Sequence, residues 1–142
     1  MVRIFVVFLF LLFGTGQWAL AKDGRCLSGN CVDGQGIMKF ADGCRYMGRF
    51  RAGRPDGQGS FVFPDRSRYE GEVRDGQPCG QGKQTLVDGT VLQGEFRDGK
   101  LNGQGSKILP DGTRYSGEYR NNEPVGKIVL TMPDGQQLQG GK

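Results

Sequence analysis

Tyr46-Met47-Gly48-Arg49-Phe50 returns 23 residues later as Tyr69-Glu70-Gly71-Glu72-Val73, then as Leu92-Gln93-Gly94-Glu95-Phe96, then as Tyr115-Ser116-Gly117-Glu118-Tyr119. A shorter last copy reads Leu138-Gln139-Gly140. The order apolar, x, glycine, x, apolar has a period of two, so its apolar and glycine columns share one face of a strand. Arg49, Glu72, Glu95 and Glu118 alternate with them and face the other side. Further columns keep the same spacing. Gly-Gln-Gly occurs at 34–36, 57–59, 80–82 and 103–105, and a fifth copy starts at Gly126, where Lys127-Ile128 replaces the rest. Asp recurs at Asp42, Asp65, Asp88, Asp111 and Asp134, followed by glycine in every copy but one, where Arg66 stands. A second apolar column, Phe40, Phe63, Leu86, Leu109 and Met132, precedes each of these aspartates.

Asp-Gly between two such runs predicts a type I′ hairpin, whose two turn residues both need positive φ. Arg66 would adopt that conformation at a cost of ~1–2 kcal/mol. A second reversal is expected near Gly53, Gly76 and Gly99, with Pro55, Pro78 and Pro124 just beyond as turn residues that interrupt the ladder. Each repeat is then a hairpin of two short strands. One hairpin is barely stable in water, so the copies have to stack. The fold class that follows is all-β: a single-layer twisted antiparallel ribbon of stacked β-hairpins. Ten strands at ~4.8 Å spacing give a length on the order of 45–50 Å. The glycine column leaves room for Tyr46, Phe50, Tyr69, Phe96, Tyr115 and Tyr119 to lie across one face, a candidate contact surface for a partner. The ribbon's unpaired ends invite capping or association.

The first 21 residues differ from the rest. Arg3 precedes an apolar run from Ile4 to Phe13, then Gly14 and Gly16, then Ala19-Leu20-Ala21. A basic start, a short apolar stretch and an A-x-A end describe a secretory signal peptide cut between Ala21 and Lys22. The run is about half the ~20 residues that a spanning helix needs. The alternative is an uncleaved membrane anchor. No Cys lies at the cut, which excludes lipidation there. Export to the periplasm or the cell exterior is the expected localisation.

Without that segment 121 residues remain, of which 24 are glycine and 35 belong to the AVILMFWYC class. Glycine is almost three times its usual ~7%, and apolar content is low for a thick core. Burial is therefore expected to be shallow and spread along the stack. Net charge after cleavage is near +3, from 18 basic and 15 acidic residues, too small to mark a nucleic-acid binder. One local run is richer: Arg45, Arg49, Arg51 and Arg54 form a candidate anion patch, opposed nearby only by Asp42 and Asp56.

These columns resemble the MORN repeat (membrane occupation and recognition nexus), whose pattern is Y-x-G-x-F, a glycine turn, G-x-G and then D-G. Tyr46-Met47-Gly48-Arg49-Phe50 and Tyr115-Ser116-Gly117-Glu118-Tyr119 match well, while Leu92 and Leu138 replace the tyrosine. The resemblance covers about Gly34 to Gly140. The lead-in Cys26-Leu27-Ser28-Gly29-Asn30-Cys31 is similar to the start of secreted bacterial members. The resemblance implies a scaffold or a protein- and lipid-contacting module, with no accompanying enzyme domain. The organisation expected is a signal at 1–21, a Cys-containing cap at 22–33, and repeats at 34–56, 57–79, 80–102 and 103–125 with a partial one at 126–142.

Four cysteines in an exported chain point to oxidising surroundings. Cys26 and Cys31 bracket a turn-like stretch, and one repeat later their positions are those of Arg49 and Arg54, either side of a reversal. A local disulfide between them is expected, capping the first edge. Cys44 and Cys79 fall at opposite margins, roughly 20 Å apart across a strand of about six residues. Bridged Cα atoms lie ~4.4–6.8 Å apart. Both should be free, or bridged between chains. There is no histidine, which removes the Ser-His-Asp and Cys-His nucleophile systems and the commonest zinc ligand. Gly-Gln-Gly lacks the Gly-Lys-Ser/Thr of a phosphate loop. The repeated aspartates fall in a turn column, where a structural role outweighs a glycosidase-like carboxylate pair. The expectation is a non-catalytic module without a cofactor, contacting an unidentified protein partner. The alternative is peripheral binding to an anionic lipid or glycan through the arginine run. Oligomers could form through the open edges or through Cys44 and Cys79.

Overall fold

The computed structural model describes residues 24–140. The segment read as a signal peptide, with the cut between Ala21 and Lys22, lies outside the described residues. Eleven strands form one sheet: β1 (Gly24–Gly29), β2 (Gly34–Phe40), β3 (Arg45–Arg51), β4 (Arg54–Val62), β5 (Arg68–Arg74), β6 (Gln77–Thr85), β7 (Val91–Arg97), β8 (Lys100–Ile108), β9 (Arg114–Arg120), β10 (Glu123–Thr131) and β11 (Gln137–Gly140). Their order in space is their order in sequence, and every neighbouring pair is antiparallel. The ribbon read from the repeat is therefore the fold. It has one strand more than the repeat predicts, because the Cys-containing lead-in is itself a strand, β1, paired with β2.

Both reversals fall where the sequence places them, but their turn chemistry differs from the expectation. At the Asp-Gly margin the Gly43 N–H donates to the Phe40 carbonyl, and the Phe40 N–H donates to the Cys44 carbonyl. The loop is thus three residues, Ala41 to Gly43, and only Gly43 has positive φ, at 94°. This is the three-residue hairpin in which a glycine closes an ordinary turn, not the two-residue type I′. The cause is the aspartate. The Cys44 N–H donates to Asp42 Oδ1 at 2.9 Å, and the same bond recurs at Asp65, Asp88, Asp111 and Asp134. The carboxylate closes the turn itself and leaves the left-handed position to the residue after it.

The type I′ turns are at the other margin. Ala52-Gly53, Asp75-Gly76, Asp98-Gly99 and Asn121-Asn122 each place two consecutive residues at positive φ. These turns are also tied along the ribbon: the Gly53, Gly76, Gly99 and Asn122 N–H groups donate to the carbonyls of Val32, Pro55, Pro78 and Leu101. Pro55 and Pro78 lie inside β4 and β6, opposite Phe50 and Val73. They stand just before a bulge where three residues of the even strand oppose one of the odd strand, so the missing N–H costs no ladder bond.

Arg66 takes the glycine's place with φ 74°, as expected from the broken column. Arg66→Gly should therefore stabilise the chain by about 0.5–1 kcal/mol, the left-handed penalty less the greater chain entropy of glycine. A urea titration with an unchanged slope and a higher midpoint is the expected readout.

The core lies on one face. In β3 the burial alternates strictly, with Tyr46, Gly48 and Phe50 buried and Arg45, Met47, Arg49 and Arg51 exposed. The tyrosine rings lie flat over the glycines. A Cβ on Gly59 would collide with the Tyr46 ring, and one on Gly82 with the Tyr69 ring. Tyr46 also packs edge-on against Phe50 at 5.2 Å and tilted against Phe61 at 4.7 Å. A single sheet buries these rings because the bare glycine backbone forms the floor beneath them.

Candidate functional site

The six aromatics proposed as a contact surface divide sharply. Tyr46, Phe50, Tyr69, Phe96 and Tyr119 are at most 3% exposed, and Tyr115 alone is partly open. A partly exposed aromatic face was expected of a single layer, and for five of the six rings this is corrected. The glycine floor lets each ring sink fully between its neighbours. The Tyr46 hydroxyl donates to the Arg49 carbonyl at 3.0 Å, and the Tyr69 hydroxyl to the Glu72 carbonyl at 2.7 Å. Burial pushes the Tyr46 phenol up to about 12, and it also raises those of Tyr69 and Tyr119. These rings are core, and the exposed residues lie on the opposite, charged face and at the two margins.

The four arginines are all exposed, but they are not one cluster. Arg51 and Arg54 are register partners flanking the Ala52-Gly53 turn, and Arg49 is two residues away on the same face. Arg45 lies at the far margin of β3, opposite Lys39 on one side and Val62 on the other. Six residues of extended chain separate it from Arg51, roughly 20 Å. The run in the sequence thus becomes a corner of three arginines and an outlier.

Reading the sequence missed a second use of the charged face. Glu72 Oε2 accepts the Gln81 N–H at 2.9 Å, at the bulge of β6. A Cβ on Gly103 would likewise meet the Glu95 carboxylate. The signal was present: a glutamate column at a fixed distance from Gly-Gln-Gly. Its role depends on the bulge, which the spacing did not reveal.

Cys26 and Cys31 form the expected disulfide, with Cα atoms 5.9 Å apart. It pins the connection between β1 and β2. Cys44 and Cys79 are free, the first buried and the second half-buried. Burial, reinforced by Asp42 and then Asp65, pushes the Cys44 thiol up to about 12, so it is no nucleophile at neutral pH. Among the described residues no group of three or more His, Cys, Asp or Glu side chains is placed to hold a metal.

The turn aspartates set an acid limit. Asp65 is held below the usual carboxylate range chiefly by the Ser67 hydroxyl, and Asp88 and Asp111 chiefly by the Thr90 and Thr113 N–H groups. A folded-state value below the unfolded one gives stability that is full above the ordinary aspartate value of ~3.9. That stability is lost as pH falls through the folded values. Thermal melts should therefore be flat from pH 7 to about 5 and fall below about 4. Asp88→Asn should make that fall shallower.

The geometry describes a class: an open-ended repeat ribbon with a closed aromatic core on one side and an exposed charged face on the other. Five stretches, 33–45, 46–68, 69–91, 93–114 and 115–137, match the sequence model of the MORN repeat. The chain belongs to the MORN-repeat family. Three of the five, starting at 46, 69 and 115, begin at the tyrosine column, while the 23-residue period is the one read from the glycines. Among solved structures, the chain is similar to the TCP domain of SAS-4 (dCPAP) of Drosophila melanogaster, in complex with a proline-rich motif of Ana2 (dSTIL). Identity is 15%, the likeness covers 84% of this chain and 90% of that one, and the TM-score is 0.44. No curated protein matches the chain.

Proposed function

We propose that the chain is a non-catalytic interaction module of the cell envelope or exterior, of the kind found in secreted bacterial members of the family, which contacts a protein partner through its charged face and its margins. MORN repeats are typically protein- or membrane-contacting modules, and the family is generally non-catalytic. The observation that carries the choice of surface is the burial of five of the six aromatic rings, which leaves the charged face as the broad exposed one among the described residues. Export rests on the basic, apolar and A-x-A order of residues 1–21.

Two experiments test this reading. The only tryptophan is Trp18, upstream of the expected cut. Processed protein should show no tryptophan emission on red-edge excitation, and strong emission means the segment is retained. Pull-down from an envelope fraction should capture a partner that charge reversal on the exposed face releases. Release by changes on the aromatic face alone, in variants still folded, sinks the assignment of the surface. The second reading, peripheral binding to an anionic membrane or glycan, is supported by the Arg49, Arg51 and Arg54 corner. Co-sedimentation with anionic vesicles that weakens as salt rises is its signature.

A further inference from the structure

The first repeat departs from the others at one corner. Its exposed residues Arg49, Arg51, Ala52 and Arg54 carry three positive charges and no negative one. The equivalent sets are Glu72, Arg74, Asp75 and Gln77, then Glu95, Arg97, Asp98 and Lys100, then Glu118, Arg120, Asn121 and Glu123. Their net charges are −1, 0 and −1. Arg49 replaces a glutamate of all three sister copies, Ala52 an aspartate in two of them, and Arg54 a neutral or acidic residue in two. None of these residues is required by the ribbon, since the other copies fold with different ones.

The sister repeats show what this corner is shaped to hold. In the second copy a glutamate carboxylate lies against the bulge and accepts the Gln81 N–H. In the third, the Glu95 carboxylate lies over Gly103 in the same way. The bulge is thus a place where backbone donors meet an anion. In the first copy Arg49 stands in the glutamate's column. Its stem crosses Gly57, where a Cβ would come within 3.1 Å of its Cδ, and its guanidinium has no acceptor to offer Gln58. A shallow hollow opens there, lined by Asp33, Arg49, Arg51 and Asp56 with the backbone of Gly34 and Gly57. Asp33 is engaged elsewhere, accepting the Ala52 N–H at 3.0 Å.

We propose that this corner, Arg49, Arg51 and Arg54 beside the Gln58 N–H, binds a side-chain carboxylate from a glutamate-rich segment of a partner protein. The proposal rests on the protein-interaction reading above and names the chemistry of that contact. A partner glutamate would take the place that the chain's own glutamates take in the next two repeats, with the Arg49 and Arg51 guanidinium groups that line the hollow available for bidentate pairing and Arg54 adjoining them at the turn. A flat anionic membrane fits less well. The same face carries Glu70, Glu72, Glu95 and Glu118, all exposed, which such a surface would meet as well. A short peptide at one corner avoids them. Asp56 shares the hollow and competes for the same guanidinium groups.

The test is a titration of the ¹⁵N-labelled purified protein with a hexaglutamate peptide at low salt. Inorganic phosphate and phosphatidylglycerol vesicles serve as parallel arms. The Gln58 amide and the Arg49 and Arg51 side-chain signals should move with the peptide. Arg49→Glu, which restores the carboxylate of the sister repeats and should fold as they do, weakens binding about tenfold or more. Arg45→Glu makes the same charge change at the far margin and should keep affinity within about threefold. Asp56→Asn should bind more tightly. Equal losses in Arg45→Glu and Arg49→Glu, a silent Gln58 amide, or binding of phosphate or vesicles without the peptide would each overturn the proposal. If the peptide fails while the envelope pull-down still captures a partner, the assignment of this corner falls and the interaction reading stands.

Discussion

Tyr69→Ala lowers the stability of the ribbon by about 3–5 kcal/mol, the usual cost of deleting a large buried ring. Tyr69 has no exposed surface. Its ring meets Phe96 edge-on at 5.2 Å and covers Gly71 and Gly82, and its hydroxyl donates to the Glu72 carbonyl. Each repeat contacts only its neighbours, so a hole in an interior copy loosens both interfaces at once. In thermal melts followed by circular dichroism the midpoint should drop by roughly 10–25 °C. Two companions separate ring from hydroxyl. Tyr69→Phe keeps the ring and should cost only about 1 kcal/mol. Tyr115→Ala, in the same column but partly open to solvent, should cost less than half as much as Tyr69→Ala. If Tyr69→Ala is as mild as Tyr115→Ala, the buried rings are not what holds the repeats together.

The fold was legible because its columns obey two strict periods: 23 residues between copies and two residues along a strand. The shared face, the free Cys44 and Cys79 and the strained Arg66 all follow from those periods. What was not legible depends on features that break them. The type I′ turn was placed at the wrong margin because Asp-Gly occurs at both. Asp42-Gly43 and Asp75-Gly76 read alike, yet the first aspartate is engaged by the N–H two residues on while the second has φ 49°. The fate of the aromatics was missed for a related reason. A single layer suggests half-exposed rings, and only the depth of the glycine floor shows that they sink. The arginine run misled because adjacency in sequence is distance in a strand: Arg45 and Arg51 occupy opposite margins. The glutamate column was visible at Glu72, Glu95 and Glu118, but its function required the bulge at Gly-Gln-Gly, and a spacing of three residues against one leaves no trace in a period of two.

Gly82→Ala should cost about 2–3 kcal/mol, and the size of that cost should depend on what lies above it. No positive φ is involved at Gly82, in contrast to Gly71, so backbone strain does not enter and alanine's lower chain entropy favours the substitution by roughly 0.5–1 kcal/mol. The penalty is steric: a methyl group there would overlap the Tyr69 ring and hydroxyl, and the ring has nowhere to go, being packed on Phe96. The third copy limits how far leucine can relieve the glycine: Leu92 stands in the tyrosine column and is buried there, yet a Cβ on the matching Gly105 would meet the Gln93 carbonyl at 2.8 Å and the Leu101 side chain at 2.9 Å. In a Tyr69→Leu background the overlap with the ring is removed. Gly82→Ala should then cost less than it does beneath tyrosine, with a coupling of at least ~1 kcal/mol between the two sites. The double-mutant cycle, measured by urea unfolding, decides between two meanings of the glycine column. If the two effects simply add, the glycines are there for the backbone. If they couple as expected, the column is a seat cut for tyrosine.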